Sequence, residues 1–215
     1  MLVRKLEFAK RQLIVYLSLL VLTAGCALEK NTANAQISQD KDKQGSKTII
    51  LKPDEGDVVW FFAKSKDELG AGGELQIYLD HHTHPEAKAA FAKFTLGLGG
   101  ALPTHKHEKT EEIAYFLSGE GVALFYENGE IQEVSVRAGY VWYNPVGGWH
   151  SVRNTGSEPL VMVFATIPNE EKGLLSFFRR IGVKPGEEAT ALSPEEFGRV
   201  AAEHELRLKP PNSSK

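Results

Sequence analysis

The chain has 215 residues, of which 42% are hydrophobic and 25% charged, and its formal net charge is −3. This size and composition provide for one core-bearing domain with appendages. The small net charge argues against nucleic acid as a partner and favours a small-molecule ligand. Cys26 is the single cysteine of the sequence, so an intramolecular disulfide is excluded.

The N-terminal part of the chain has a basic start followed by an apolar run over residues 13–25. The run is shorter than the ~20 residues that a membrane-spanning helix needs. The pattern therefore predicts a signal peptide and export to the bacterial periplasm or the extracellular space. We expect contact with the membrane only through this signal or through a lipid anchor.

Two cleavage sites remain open. Residues 22–26 resemble a bacterial lipobox, although Thr23 stands where an aliphatic residue is preferred. Cleavage there would define a signal peptide of residues 1–25 and place the lipid anchor on Cys26. The alternative is the Ala-Asn-Ala sequence before Gln36, which would define a signal peptide of residues 1–35 and release a soluble protein.

Residues 36–56 are polar, and we expect a flexible linker there because few side chains can be buried. Short runs rich in β-branched and aromatic residues follow, at residues 57–63, 74–79, 91–98, 112–117, 122–126, 131–136, 140–144, 150–153 and 160–167. Their close spacing predicts a mainly β fold, a single small antiparallel barrel or sandwich over residues 57–167. Asn128-Gly129 predicts a two-residue hairpin turn, because both positions need a positive φ.

After residue 167 the pattern becomes helical and predicts a C-terminal helical extension over residues 168–208. Apolar residues are crowded within two turns of residues 174–181. Ser193 is suited to cap a second helix, with Pro194 at its first position and Glu196 closing a capping box. We expect the apolar stripes of both helices to pack against the outside of the barrel.

Two groups of residues with fixed spacing carry the chemistry. The first is Gly99, five residues, His105-Lys106-His107, four residues, Glu112, six residues and Gly119; the second is Gly139, five residues, Pro145-Val146-Gly147, two residues, His150, three residues and Asn154. The pattern closely resembles the two motifs of the cupin superfamily, with all ten fixed positions matched. The resemblance covers residues 57–167 and implies a jelly-roll-like barrel, the double-stranded β-helix.

The residues of these motifs also predict a metal site from elementary geometry. Residues two apart in a strand face the same side, so His105 and His107 both point inward. Glu112 begins the next strand, and His150 follows a tight turn. Without a metal, burial of these groups would leave polar atoms unpaired at about 1–3 kcal/mol each. Three nitrogens and one carboxylate oxygen suit one divalent transition metal, namely iron, manganese, nickel, copper or zinc, with positions left for water, oxygen or substrate.

Other histidines receive no chemical role. His82 and His84 form a second H-x-H pair, but the flanking glycines are missing and a proline follows, so we predict a solvated loop, with a second metal site as the alternative. A loop here could still cap the barrel mouth. His204 stands beside Glu205, where a solvated helix face is expected.

The fold alone does not decide the function, because the cupin barrel hosts enzymes, storage proteins and sensors. Strand parity places Ala114, Phe116 and Val152 on the metal-facing side, so we expect an apolar cavity wall. Oxalate decarboxylases of the superfamily carry an arginine three residues before the first ligand histidine, where this chain has Leu102. A manganese-dependent oxalate-type decarboxylase or oxidase therefore ranks below two other hypotheses.

The leading hypothesis is a metal-dependent dioxygenase acting on a small aromatic or otherwise apolar substrate. Residues 60–79 and 168–182 resemble bacterial quercetin-dioxygenase-like single-domain cupins, and this resemblance implies that Glu112 is a catalytic residue, as metal ligand or proton acceptor. The alternative is a non-catalytic envelope protein that binds a small molecule or metal, for which the same four ligands suffice. Assembly as a homodimer is left open.

Overall fold

The computed structural model describes residues 48–189 and 191–209. The predicted signal peptide, both cleavage sites, Cys26 and linker residues 36–47 lie outside the described residues. Within the described ranges, no helix is both long enough and apolar enough to cross a bilayer.

The described part of the chain is mainly β, as predicted, with eleven strands and two helices. The strands are β1 (Asp57–Phe61), β2 (Gly73–Leu79), β3 (Ala90–Leu96), β4 (His105–His107), β5 (Glu111–Ser118), β6 (Glu120–Glu127), β7 (Glu130–Arg137), β8 (Val141–Asn144), β9 (His150–Asn154), β10 (Leu160–Ile167) and β11 (Leu206–Leu208), and the helices are α1 (Leu174–Ile181) and α2 (Pro194–Glu203).

The strands form two antiparallel sheets. One sheet has the order β1-β2-β3-β10-β5-β8 and the other the order β11-β4-β9-β6-β7. Strands that are distant in sequence are paired, as in β3 with β10 and β4 with β9. This pairing is the jelly-roll-like arrangement that the sequence predicted.

The hydrophobic core lies between the two sheets. Buried and partly exposed residues alternate along the whole of β10, as expected for a strand with one face toward a core. Ala114, Phe116 and Val152 are almost completely buried, so all three lie on the inner face as predicted, and Val152 also lines the cavity beside the predicted metal ligands. Removal of such side chains from water is the main stabilising contribution to the barrel.

The hairpin between β6 and β7 forms where it was predicted. Asn128 has a φ of 53° and Gly129 a φ of 85°, and Glu127 pairs with Glu130 across the two-residue turn. Asparagine and glycine are the residues that adopt this left-handed conformation at the lowest cost.

Both predicted helices are present, but their position differs from the prediction. Ser193 accepts a hydrogen bond from the backbone N–H of Glu196 at 3.1 Å and so caps α2. The apolar stripe of α1 is buried, and the ring of Phe178 lies 4.4 Å from that of Phe61. Leu174 and Phe178 line the cavity beside the predicted metal ligands. The expectation that the helices lie only against the outside of the barrel was therefore wrong for α1.

Strand β11 is an element that the sequence analysis did not predict in the expected helical extension. It pairs antiparallel with β4, so that Leu206 lies opposite His107 and Leu208 opposite His105. Backbone hydrogen bonds continue at 2.8 Å from Lys209 N–H to the carbonyl oxygen of Thr104. The C-terminal segment is thereby attached directly to the strand that carries two predicted metal ligands.

Candidate metal centre

Three buried histidine side chains meet in the interior of the barrel. His105 and His107 both point inward from β4, with Lys106 turned the other way. His150 is the first residue of β9 and lies directly opposite His105. One ring nitrogen from each histidine lies within 4.8 Å of the other two. The structure thus brings together the three histidines that the sequence singled out.

The outer ring nitrogens of two histidines are held by backbone carbonyls. His105 Nδ1 lies 2.8 Å from the carbonyl oxygen of Pro103, and His150 Nδ1 lies 2.9 Å from that of Gly148. Because a carbonyl oxygen can only accept a hydrogen bond, both Nδ1 atoms carry the proton. The Nε2 lone pairs are then free for a metal, and the rings are fixed in the orientation typical of ligating histidines.

Glu112 stands beside the histidine cluster as the second residue of β5. Its Oε2 lies 3.6 Å from His107 Nε2, and its Oε1 accepts a hydrogen bond from Asn144 Nδ2 at 3.3 Å. The glutamate does not belong to the group whose ligand atoms lie mutually within 4.8 Å. Its role as the fourth ligand therefore stays a prediction, although its position is suitable.

The site has strongly shifted titration properties. Burial, reinforced by the charges of His150 and His107, lowers the pKa of His105 to about 3. Burial also lowers the pKa of His150. Burial alone would lower the pKa of His107 as well, but the carboxylates of Glu112 and Glu205 raise it to about 9. Burial by itself would raise the pKa of Glu112, but the three neighbouring histidines lower it to about 2. At 3.6 Å the carboxylate contacts of His107 are ion pairs, since they exceed hydrogen-bond length.

The buried nitrogens give a test of whether a metal fits this set of residues. His107 Nε2 and His150 Nε2 are buried and have no hydrogen-bond partner. Buried polar atoms are normally satisfied, and an unpaired one costs about 1–3 kcal/mol. Two unpaired nitrogens that face a third imidazole and a carboxylate match the donor preference of a divalent transition metal.

A small cavity of about 30 Å³ adjoins the histidines and Glu112. Its walls include Leu75, Phe94, Leu102, Trp142, Val152 and Met162, which confirms the expected apolar character. None of the described residues that line it is a lysine or an arginine. The volume is enough for about two water molecules, so a ligand here must be small unless α1 moves.

Glu205 was missed by the sequence analysis. We expected this region to form a solvated helix face, but α2 ends at Glu203 and the Glu205 side chain is buried. Glu205 Oε1 lies 3.6 Å from His107 Nδ1. The alternation Leu206-Arg207-Leu208 is the signal that could have predicted a strand there.

The second H-x-H pair lies in the turn after β2, as predicted. His82 is exposed and His84 half-buried. Asp80 organises this turn by accepting hydrogen bonds from the N–H and hydroxyl of Thr83, and Arg179 Nε donates to Asp80 Oδ2 at 2.6 Å. Within the ranges described, these histidines do not take part in a metal-ligating cluster.

Comparison with known proteins supports the family resemblance that the sequence motifs indicated. Residues 92–166 match the Cupin domain family. An oxalate-binding protein from Thermotoga maritima is 40% identical over 93 residues, which are 41% of this chain and 74% of that protein. An oxalate decarboxylase from Bacillus subtilis is 31% identical over 93 residues, and the chain covers 24% of its length.

A solved structure from Thermotoga maritima, described as a predicted oxalate decarboxylase, shows 30% sequence identity and a TM-score of 0.45. The match covers 56% of this chain and 99% of that one. The family match over residues 92–166 includes the strands that carry the histidines, and the chain covers 74% of the oxalate-binding relative. The chain belongs to the cupin family.

Proposed function

We propose that this cupin holds one divalent transition metal through His105, His107, Glu112 and His150 and binds a small carboxylate ligand beside it. The observation that carries the proposal is the convergence of unpaired, buried imidazole nitrogens on a cavity of about 30 Å³. When bound, the metal would supply a Lewis acid with open positions for ligand oxygens.

The charge of the cavity favours a ligand with a small negative charge. A divalent ion with the Glu112 carboxylate and three neutral imidazoles would keep one positive charge toward the cavity, because the further carboxylate, Glu205, lies behind the His107 ring and does not line the cavity. A buried charge needs a partner, so a monocarboxylate or a singly protonated dicarboxylate is the best match. The name of the oxalate-binding relative from Thermotoga maritima points to the same ligand class. Leu102, where an arginine would hold a dianion, argues for binding over decarboxylation.

The chain's own residues orient such a ligand and limit water around it. Trp142 stands edge-on to His150, with ring centroids 5.5 Å apart, and Leu174 and Phe178 close the cavity from α1. The low pKa of Glu112, which its histidine neighbours maintain against burial, keeps this carboxylate ionised. A base with so low a pKa accepts protons weakly, so the metal-ligand role suits Glu112 better than the proton-acceptor role.

The apolar wall favours a second candidate, a metal-dependent dioxygenase acting on a small apolar substrate. Residues such as Phe94, Val152 and Met162 line the cavity and would accommodate a hydrocarbon group. An aromatic substrate of flavonol size would require α1 to move away. Oxygen consumption with small enols and phenols, measured with an oxygen electrode, distinguishes this candidate from a binding protein.

Elemental analysis of natively expressed protein followed by calorimetric titration tests the leading proposal. We expect close to one transition-metal ion per chain and saturable binding of oxalate or glycolate that chelation abolishes. Leu102→Arg is a matched variant, since it adds the missing cation and should favour the dianion over the monoanion. Natively expressed protein without a transition metal would contradict both candidates.

Glu112→Gln separates metal retention from ligand binding or turnover. Glutamine keeps a carbonyl oxygen in nearly the same place but cannot neutralise the ion's charge. We expect partial metal occupancy and loss of most ligand binding or turnover. Full occupancy together with undiminished function would show that the carboxylate is not needed.

Export remains part of this proposal, with either a lipid anchor on Cys26 or a free N-terminus at Gln36. Mass spectrometry of the mature N-terminus decides between the two. An intact Met1 in native membranes would contradict both.

A further inference from the structure

We propose that Glu205, carried by the C-terminal extension, is a positioning residue of the metal centre that fixes the His107 ring with Nε2 toward the ion. The inference rests on the proposed metal-binding function. It adds to the four motif residues a fifth one, which lies outside the residues that match the cupin family.

His107 differs from the other two histidines in how its outer nitrogen is held. For His105 and His150, the partner of Nδ1 is the carbonyl oxygen of the residue two positions earlier, Pro103 and Gly148 respectively. His107 Nδ1 has no hydrogen-bond partner, and Glu205 Oε1 lies 3.6 Å away from it. The barrel segment thus orients two of its histidines locally, and the third faces a carboxylate from a distant part of the chain.

The Glu205 carboxylate is held in place by hydrogen bonds from Lys109 and Thr110. Its Oε2 accepts hydrogen bonds from the backbone N–H groups of Lys109 at 2.7 Å and Thr110 at 3.1 Å. Its Oε1 accepts one from the Thr110 hydroxyl at 2.6 Å. These contacts fix the positions of both carboxylate oxygens, with Oε1 facing His107 Nδ1.

The backbone of the extension fixes the same arrangement. The carbonyl oxygen of Glu205 accepts a hydrogen bond from Glu108 N–H at 2.9 Å. Glu205 has a φ of 63°, a conformation that is unfavourable for a residue other than glycine. A glutamate kept in this conformation, with its side chain buried, indicates that its carboxylate has a role that glycine could not fill.

The chemistry of the carboxylate determines the tautomer of His107. An ionised carboxylate can only accept, so it requires the proton of the neutral imidazole on Nδ1 and leaves the Nε2 lone pair for the metal. Glutamine can keep its carbonyl oxygen on the two backbone N–H groups, but its NH₂ group then faces Nδ1. A donor at that point favours the opposite tautomer, with the proton on Nε2, where it blocks the metal.

The test compares Glu205→Gln with Glu203→Gln in the full chain, each loaded with cobalt(II). Glu203 is an exposed residue at the end of α2, paired with Arg199, and serves as the matched control. We expect cobalt affinity, from competition with a chromophoric chelator, to fall about 10–100-fold in Glu205→Gln and to stay unchanged in Glu203→Gln. The visible absorption spectrum of the bound cobalt should change in Glu205→Gln only.

Melting of the metal-free forms separates positioning from a purely structural role. Without metal, Glu205→Gln should melt somewhat below the wild type, because His107 loses one of its two carboxylate partners, and it should in addition lose most of the stabilisation that cobalt confers. Wild-type affinity and an unchanged cobalt spectrum in Glu205→Gln would overturn the inference. Failure of the wild type to bind cobalt would instead overturn the proposed metal site, and the inference with it.

A further measurement uses the wild-type protein and therefore does not depend on whether a variant folds. Long-range ¹H–¹⁵N spectra of the zinc-loaded protein report which ring nitrogen carries the proton. We expect the His107 proton on Nδ1, as for His105 and His150. A proton on His107 Nε2, or zinc bound through Nδ1, would overturn the inference.

Discussion

Two segments of this molecule have the same H-x-H spacing and very different surroundings. His105 and His107 lie on a strand between two others, β9 and β11, with their side chains buried. His82 and His84 lie in a turn held by Asp80 and stay at least partly exposed. The spacing is therefore not what makes the first pair a site.

The difference lies in the groups behind the imidazoles. Each ring of the buried cluster has a carbonyl or carboxylate near its outer nitrogen, whereas His84 Nδ1 lies 2.9 Å from the hydroxyl of the adjacent Thr83. A hydroxyl can both donate and accept, so it does not select a tautomer. A metal centre requires rings with a fixed tautomer, which backbone carbonyls provide for His105 and His150 and which we propose Glu205 provides for His107.

The most direct way to break this comparison is to remove a histidine from each segment. His105→Ala or His150→Ala should abolish metal retention, because alanine supplies no nitrogen donor. His82→Ala and His84→Ala should leave the metal content unchanged. Elemental analysis of the purified variants measures both, and metal loss from the second pair alone would reverse the assignment of the site.

Metal removal should have the next largest effect, and it should act on the buried segment. The proposed ligands come from three strands, so a bound ion would tie β4, β5 and β9 together. An ion present at 100 times its dissociation constant contributes about 2.7 kcal/mol to the free energy of unfolding. Thermal melting before and after chelation measures this contribution, and melting temperatures within a degree of each other would contradict a preformed site.

The pH dependence of metal binding should sharpen the comparison. With its pKa raised to about 9 by Glu112 and Glu205, His107 is protonated at neutral pH without metal, and an ion must displace that proton. We expect metal affinity to rise with pH up to about 9, at most about tenfold per pH unit. Competition titrations between pH 6 and 9 test this, and a flat profile would contradict a proton on His107.

The metal-free protein should respond to pH with the opposite sign. A raised pKa in the folded state means that the stabilisation from protonated His107 is fully present below the unfolded value near 6.5. This stabilisation is lost as the pH rises through about 9. Melting temperatures of the chelated protein over the same range provide the check.

The smallest effect should come from Asp80, which holds the turn that contains His82 and His84. Asp80→Asn keeps the contacts to Thr83 but removes the charge that pairs with Arg179, and should cost about 1 kcal/mol after allowance for solvent screening. Burial by itself would raise the pKa of Asp80, but Arg179 lowers it, and the net shift is a decrease. The stabilisation is therefore present above the unfolded value near 3.8 and lost as the pH falls through the lowered folded value. Urea unfolding measures the loss, and the metal content should not change.

The sequence predicted most of the barrel because its signals are local. Parity placed His105, His107 and Phe116 on the inner face, and Asn128-Gly129 marked a turn whose backbone needs those residues. The position of Glu205 could not be predicted in this way. Its partners lie 95 and 96 residues away, and neither periodicity nor motif spacing reports which distant strand a three-residue segment will pair with.

The size and charge of the cavity also lay beyond the sequence. An apolar wall was predicted from strand parity, but the closing contribution of Leu174 and Phe178 depends on where α1 packs. Because of the small volume that results, we propose a small carboxylate and not an aromatic molecule as the ligand.

The pairing of β11 with β4 has a consequence for the order of events during synthesis. Thr110 and Glu205 are separated by 95 residues, and a ribosome that adds about 5–20 residues per second needs roughly 5–20 s to cover that distance. For that time the nascent chain contains His105 and His107 without the strand beside them or the carboxylate behind them. The proposed centre would be complete only after translation of residue 205, so we expect stable metal loading to be a post-translational event.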